Sequence, residues 1–224
     1  MKPILIAHRG DTVNFQENTI KAFQSAFNKG ADGIECDVQC DIKDNIVVVH
    51  DYLYDKSKTY PLLTEVLEKF SSQGRIEIEI KSLEINQIKK ITDLIKKFNP
   101  PDFEVTSSIL PSLPYIHQEL PTASIGMIFK SNLIESYMTP KFIQRFLLGY
   151  MKLTKANVLH LNLEHYTSTL IKLMHDNNFK THTHLNNNNP KYLKKLKKLG
   201  IDQATFDDIS ILKKQILLLR ESII

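Results

Sequence analysis

Gly33-Ile34-Glu35-Cys36-Asp37-Val38-Gln39 reads as a β-strand with one apolar face and one charged face. Residues two apart along a strand share a side, so Ile34, Cys36 and Val38 lie together and Glu35, Asp37 and Gln39 lie opposite them. Two neighbouring carboxylates on a buried face are costly unless a cation offsets them. Ile76-Glu77-Ile78-Glu79-Ile80-Lys81 repeats the pattern, three isoleucines against Glu77, Glu79 and Lys81. The first apolar run ends in Ala7-His8-Arg9-Gly10, and another ends in Val49-His50-Asp51. These four segments are expected to bring a metal and two histidines to one end of a barrel.

Outward from this stretch, the chain alternates strands and helices. Ile4-Leu5-Ile6-Ala7 is apolar throughout, as a strand buried on both faces should be. Asn18-Thr19 opens a helical pattern through Ile20, Phe23 and Phe27 that Gly30 stops. Lys43-Asp44-Asn45 is turn-forming, and residues 46–49 read as a strand after a link too short for a helix crossover. A hairpin arm follows from that shortness, and it would return His50 beside Asp37 or Gln39. Further helices are expected after Pro61, from Ile85 to Phe98, around 142–148, at 168–176 and at 191–199. Further strands are expected at 103–106, 123–129, 157–161, 179–185 and 203–206. Leaving the arm aside, eight strands alternate with helices, which implies a closed parallel (β/α)8 barrel, a TIM barrel. Neither an internal repeat nor a linker divides residues 1–224, so one domain is expected. The four asparagines 186–189 before Pro190 read as a turn that caps the next helix.

Composition bounds the class. Of 224 residues 42% are hydrophobic and 24% charged, ordinary for a globular protein with a sizeable core. A net charge of +4, spread along the chain, does not point to nucleic acid. Cys36 and Cys40 share the parity of the apolar face and are expected to be reduced and buried. The start of the chain carries no secretory signal, and no apolar run approaches the ~20 residues of a membrane span, so a cytoplasmic location is expected.

Functional residues of such barrels sit at the C-terminal strand ends. His8, Arg9, Glu35, Asp37, Glu79 and Lys81 all fall there, and His50 joins them through the hairpin. Converging carboxylates suit a hard divalent cation, Mg²⁺ or Ca²⁺. Zinc would draw more directly on the histidines or cysteines. Arg9 and Lys81 beside a cation suggest a phosphate ester as substrate. Two histidines then supply what phosphodiester cleavage needs, one accepting a proton from the nucleophile and one donating to the leaving alkoxide. Each element alone has a plainer reading: a structural histidine, a solvent-facing Glu-x-Asp, a half-exposed strand with cross-strand charge pairs. The combination favours the functional reading, because a parallel barrel has no solvated flat face for those charges.

This set resembles the glycerophosphodiester phosphodiesterase family. The resemblance rests on His8-Arg9-Gly10, Glu17-Asn18-Thr19, residues 30–38, Val48-Val49-His50-Asp51 and Glu77-Ile78-Glu79-Ile80-Lys81, with weaker echoes in Ser107-Ser108 and Gly200-Ile201-Asp202. It implies the same barrel. It also implies that Glu35, Asp37 and Glu79 bind the metal, that His8 and His50 are the acid/base pair, that Arg9 and Lys81 contact phosphate, and that Glu17 supports Arg9 or the metal shell. Which histidine is the base stays open, as does direct attack by water against a cyclic phosphate intermediate. Two departures stand out. Only Tyr52 to Tyr60 separate Asp51 from Pro61, where family members carry a cap insertion. The late strand reads His182-Thr183-His184-Leu185-Asn186 in place of a Trp-bearing pattern, and the chain has no Trp. An open mouth leaves room for lysophospholipids, so lysophospholipase D-like hydrolysis is an alternative, and an inactive phosphate-ligand-binding barrel is another. The lysine-rich stretch 191–199 offers either weak contact with an anionic membrane surface or an outer barrel helix with Leu193, Leu196 and Leu199 inward. No protein partner is implied.

Overall fold

The computed structural model describes residues 2–52, 54–55, 57–185 and 191–209. In chain order the elements are β1 (Ile4–Ala7), α1 (Ile20–Asn28), β2 (Gly33–Cys40), β3 (Ile46–Val48), α2 (Leu63–Phe70), β4 (Arg75–Ile80), α3 (Ile85–Phe98), β5 (Phe103–Ser107), α4 (Leu113–Glu119), β6 (Ser124–Ile128), α5 (Pro140–Thr154), β7 (Val158–His160), α6 (Ser168–Asp176), β8 (Lys180–Leu185), α7 (Lys191–Leu199) and β9 (Gln203–Phe206). The hydrogen-bonded order β1-β9-β8-β7-β6-β5-β4-β2 is closed by pairing of β1 with β2. All of these pairs are parallel. The result is the eight-stranded closed barrel expected from the alternation of strands and helices. β3 alone runs antiparallel, with Val38 opposite Val48 and Cys40 opposite Ile46, and is the hairpin arm.

Local chemistry explains the helix ends. The Thr19 hydroxyl accepts from the Ala22 amide at the start of α1, and Thr139 and Thr167 do the same for α5 and α6. At α2 the Glu65 carboxylate reaches back to accept from the Leu62 amide at 2.7 Å. α3 ends on Asn99 in the left-handed region, with Pro100 behind it. α4 lies where Pro111 and Pro114 read as breakers. Pro114 sits in its first turn, where a missing N–H costs nothing, and Leu113 and Ile116 are buried.

Strand parity decides what faces where. Ile34, Cys36 and Val38 of β2 and Ile76, Ile78 and Ile80 of β4 join one apolar cluster with Phe23, Leu67, Ile88 and Ile91 of the helices. The opposite face of each strand therefore looks into the barrel. β2 extends two residues past Val38, and both cysteines are free, Cys36 buried and Cys40 half-buried. Leu193 and Leu196 of α7 are buried against the barrel, while Lys194, Lys195, Lys197 and Lys198 are exposed. The asparagine turn expected at 186–189 lies outside the described residues. No helix among the described residues is long and apolar enough to cross a membrane.

Candidate active site

β2 and β4 run in register, pairing Glu35 with Glu77 and Asp37 with Glu79. Oxygens of Glu35, Asp37 and Glu79 lie within 4.8 Å of one another at the C-terminal mouth of the barrel. The three residues are only 3%, 0% and 9% exposed. Glu35 Oε1 and Asp37 Oδ1 find no hydrogen-bond partner among the described residues. Burial, then the charges of Asp37, Glu79 and Glu77, push the Glu35 carboxyl well above the usual range. Burial pushes Asp37 upward too, but the charges of Arg9 and Lys81 and the Asn18 hydrogen bond outweigh it and hold it low. Orphaned, mutually repelling carboxylate oxygens at this spacing fit a hard divalent cation, which would remove the repulsion.

Cationic groups edge the same mouth. Arg9 adopts φ of 55°, a left-handed conformation unusual for a side-chain-bearing residue, just before Gly10 at φ of 85°. The turn lets the Arg9 amide donate to Glu35 Oε2 at 3.1 Å, while its guanidinium reaches Glu17 at 2.9 Å and Asp37 at 3.0 Å. Asn18, also left-handed at φ of 56°, donates to Asp37 Oδ2 at 2.9 Å. Lys81 Nζ sits 3.2 Å from Glu79 and 3.4 Å from Asp37. Ser108 donates to Glu79 Oε1 at 3.0 Å.

Each histidine is held by one ring nitrogen. His8 Nδ1 donates to Asp207 at 2.6 Å, and its Nε2 faces Glu35 Oε2 at 3.9 Å. Burial pulls the His8 pKa down, the Asp207 hydrogen bond opposes this, and the neighbouring His184 and Arg9 add to the lowering. The net result is a neutral imidazole with a free Nε2. His50 Nδ1 pairs with Asp51 at 2.9 Å. The hairpin brings it to Asp37 as expected, because the Val49 amide donates to the Asp37 carbonyl at 3.0 Å. Gln39 fixes the arm, donating to the carbonyls of Val49 and Asp51 at 3.1 and 2.9 Å. His8, Glu35 and Glu79 line a cavity of about 320 Å³ whose wall continues through Phe129, Lys130 and His184. His50 faces a neighbouring hollow shared with Glu17 and Asn18.

Sequence reasoning missed Asp207, which also binds His184 Nε2 at 2.9 Å. Nothing local marks it, since its partner His8 is 199 residues away in the chain. It missed Glu104 and His160 as well, a carboxylate within β5 and a histidine at the end of the short strand β7. His182 and His184 both line the cavity, His182 buried in the barrel and His184 at the rim.

The model of the glycerophosphoryl diester phosphodiesterase family matches residues 8–60, the span from His8 past His50. The glycerophosphodiester phosphodiesterase of Caldanaerobacter subterraneus subsp. tengcongensis is 31% identical over 172 residues, 61% of this chain and 71% of that protein. The chain belongs to the glycerophosphoryl diester phosphodiesterase family. Solved structures named for the same activity share the barrel. That of the Thermotoga maritima glycerophosphodiester phosphodiesterase has a TM-score of 0.74 at 22% identity, covering 96% of this chain and 98% of its own. A phosphodiesterase of Oleispira antarctica, in complex with the product sn-glycerol-3-phosphate, has a TM-score of 0.79 at 19% identity over 96% of each chain.

Proposed function

We propose that this member of the family hydrolyses glycerophosphodiesters to glycerol 3-phosphate and an alcohol, with Glu35, Asp37 and Glu79 holding Mg²⁺ or Ca²⁺. The observation that carries the reading is the buried carboxylate trio at the barrel mouth, two of whose oxygens have no hydrogen-bond partner among the described residues. When bound, the cation would supply charge stabilisation for the phosphoryl oxygens. Arg9 and Lys81 orient and neutralise the phosphate from either side, and Glu17 holds the Arg9 guanidinium in place. His8, neutral with Nε2 free, accepts the proton of the attacking water, or of a neighbouring substrate hydroxyl whose cyclic phosphate water then opens to glycerol 3-phosphate. His50, anchored through Nδ1, returns a proton to the leaving alkoxide as the phosphorus–oxygen bond breaks. The product assigned here is the one bound in the Oleispira antarctica structure.

The test is glycerol 3-phosphate release from glycerophosphocholine and glycerophosphoethanolamine, with a lysophospholipid as a parallel substrate. Release from the small substrates, lost in His8→Ala and His50→Ala by a factor of about 10² or more, is the expected result. Release from the lysophospholipid alone would transfer the reading to a lysophospholipase D-like activity. Failure on all three with a folded protein would overturn the hydrolase reading.

A further inference from the structure

The barrel interior beneath the mouth is polar. Glu77 lies two residues before Glu79 on the inward face of β4, and Glu104 pairs with it in register on β5. His160 and His182 pair in register across β7 and β8. One donor atom from each of these four residues lies within 4.8 Å of the others. Their exposures are 2%, 0%, 8% and 1% in the order Glu77, Glu104, His160, His182.

Hydrogen bonding accounts for the outer atoms of the cluster but not for its centre. Glu104 Oε2 accepts from Arg75, Ser124 and Gln203, and Oε1 lies 2.7 Å from His160 Nε2. His182 Nε2 is bonded to the Thr205 hydroxyl. His182 Nδ1 and Glu77 Oε2 are left without a hydrogen-bond partner among the described residues, facing each other at 3.5 Å. His160 Nδ1 lies 3.8 Å from Glu77 Oε1. Unpartnered buried groups of this kind are costly and rare. Those separations are long for hydrogen bonds. They are close to the roughly 3.4 Å between donors on a tetrahedral ion with nitrogen and oxygen ligands at about 2.1 Å.

We propose that Glu77, His160 and His182 form a second metal site beneath the mouth, taking a divalent first-row transition ion such as Zn²⁺. Both imidazoles would ligate through Nδ1, and each is already oriented through its other nitrogen, His160 by the Glu104 carboxylate and His182 by Thr205. Burial, then the charge of His160, pushes the His182 pKa well down, and neutral imidazole is the coordinating form. Gly126 makes the room: a Cβ there would meet His160 Nε2 at 2.5 Å and Glu104 Oε1 at 2.8 Å. Access is open, since Glu77, His160 and His182 line the same cavity as His8 and Glu35. The two nitrogen donors separate this site from the all-oxygen trio above it, which selects for harder ions. The stacked rings of His160 and His182, 3.8 Å apart and 23° from parallel, would splay on binding. This inference stands independently of the phosphodiesterase reading.

The experiment loads EDTA-stripped protein with excess Mg²⁺ to fill the oxygen site, then with Zn²⁺, and measures retained zinc and its K-edge absorption spectrum. About one zinc per chain is expected, with two imidazoles in its shell. Retention should persist in Asp37→Asn and His184→Gln, and fall at least tenfold in Glu77→Gln and His182→Gln. Two imidazoles in the wild-type spectrum, together with zinc retained in His184→Gln, assign the ion to this site even where Glu77→Gln or His182→Gln fails to fold. No zinc retained by folded wild type, or zinc without imidazole ligands, overturns the proposal. So does zinc lost in His184→Gln and kept in His182→Gln, which would place the ion at the His8–His184–Asp207 rim.

Discussion

Asp207 holds two histidines at the rim, accepting from His8 and His184 through one oxygen. Burial raises its pKa, yet the bonds from His184 and His8 hold it far below the usual carboxylate range. Its negative charge in turn lifts the His8 pKa against the lowering by burial. Asp207→Asn keeps the volume and removes the charge, so the His8 pKa should fall further. With His8 as the base, activity is lost as pH drops through its pKa. The acid limb of kcat/KM should therefore move to lower pH in this variant, and a limb that stays or rises would exclude His8 as the group being read. A second residue-scale case is Asp11, fully buried, with Lys29 at 2.5 Å and Ser25 at 2.6 Å. Burial raises its pKa, but hydrogen bonds from Lys29, Ser25 and Asn14 prevail and lower it. A depressed carboxylate stabilises fully above its unfolded pKa, about 3.9, and loses that contribution as pH falls through the folded value. Asp11→Ala should cost about 2 kcal/mol at pH 7, with the gap to wild type narrowing in urea melts below pH 4.

At the scale of elements, the hairpin arm decides whether His50 reaches the mouth. The arm's three-residue strand, the Val49 amide bond to the Asp37 carbonyl and the two Gln39 hydrogen bonds hold the Val49–Asp51 segment against β2. Gln39→Ala should cut kcat about 10- to 100-fold by releasing His50, while shifting the melting temperature by only a few degrees. Equal losses of activity and of fold would show that Gln39 acts through stability alone. The arm was legible because its turn, Lys43-Asp44-Asn45, is too short for a crossover, and the barrel strands because carboxylates alternate with isoleucines. α4 was not legible, since proline reads as a breaker in sequence yet is harmless in a helix's first turn. Asp207 and Glu104 were not legible either. Their roles come from strands that meet only when the barrel closes, and strand-interior charge was the one signal available for Glu104.

The whole molecule is a closed ring whose inside is charged from floor to mouth. Arg75 anchors the floor, 7% exposed, bonding Asp102 at 2.9 Å, Glu104 at 3.1 Å and Gln203 at 2.6 Å. Removing it takes the guanidinium from the fully buried Glu104 and leaves that carboxylate to Ser124, Gln203 and His160, so Arg75→Met should cost about 3–5 kcal/mol, and adding Glu104→Gln should restore part of that stability in denaturant melts. A ring built this way concentrates repulsion among Glu35, Asp37, Glu79 and Glu77, which a bound cation would relieve. The most direct measurement is the rate of glycerol 3-phosphate release by EDTA-stripped protein as Mg²⁺ or Ca²⁺ is added back, for wild type and Asp37→Asn. Saturable recovery in wild type, with Asp37→Asn needing far more metal or showing no recovery, is expected of a cation held by the mouth carboxylates. Full activity in EDTA, or identical metal dependence in the two proteins, would contradict it.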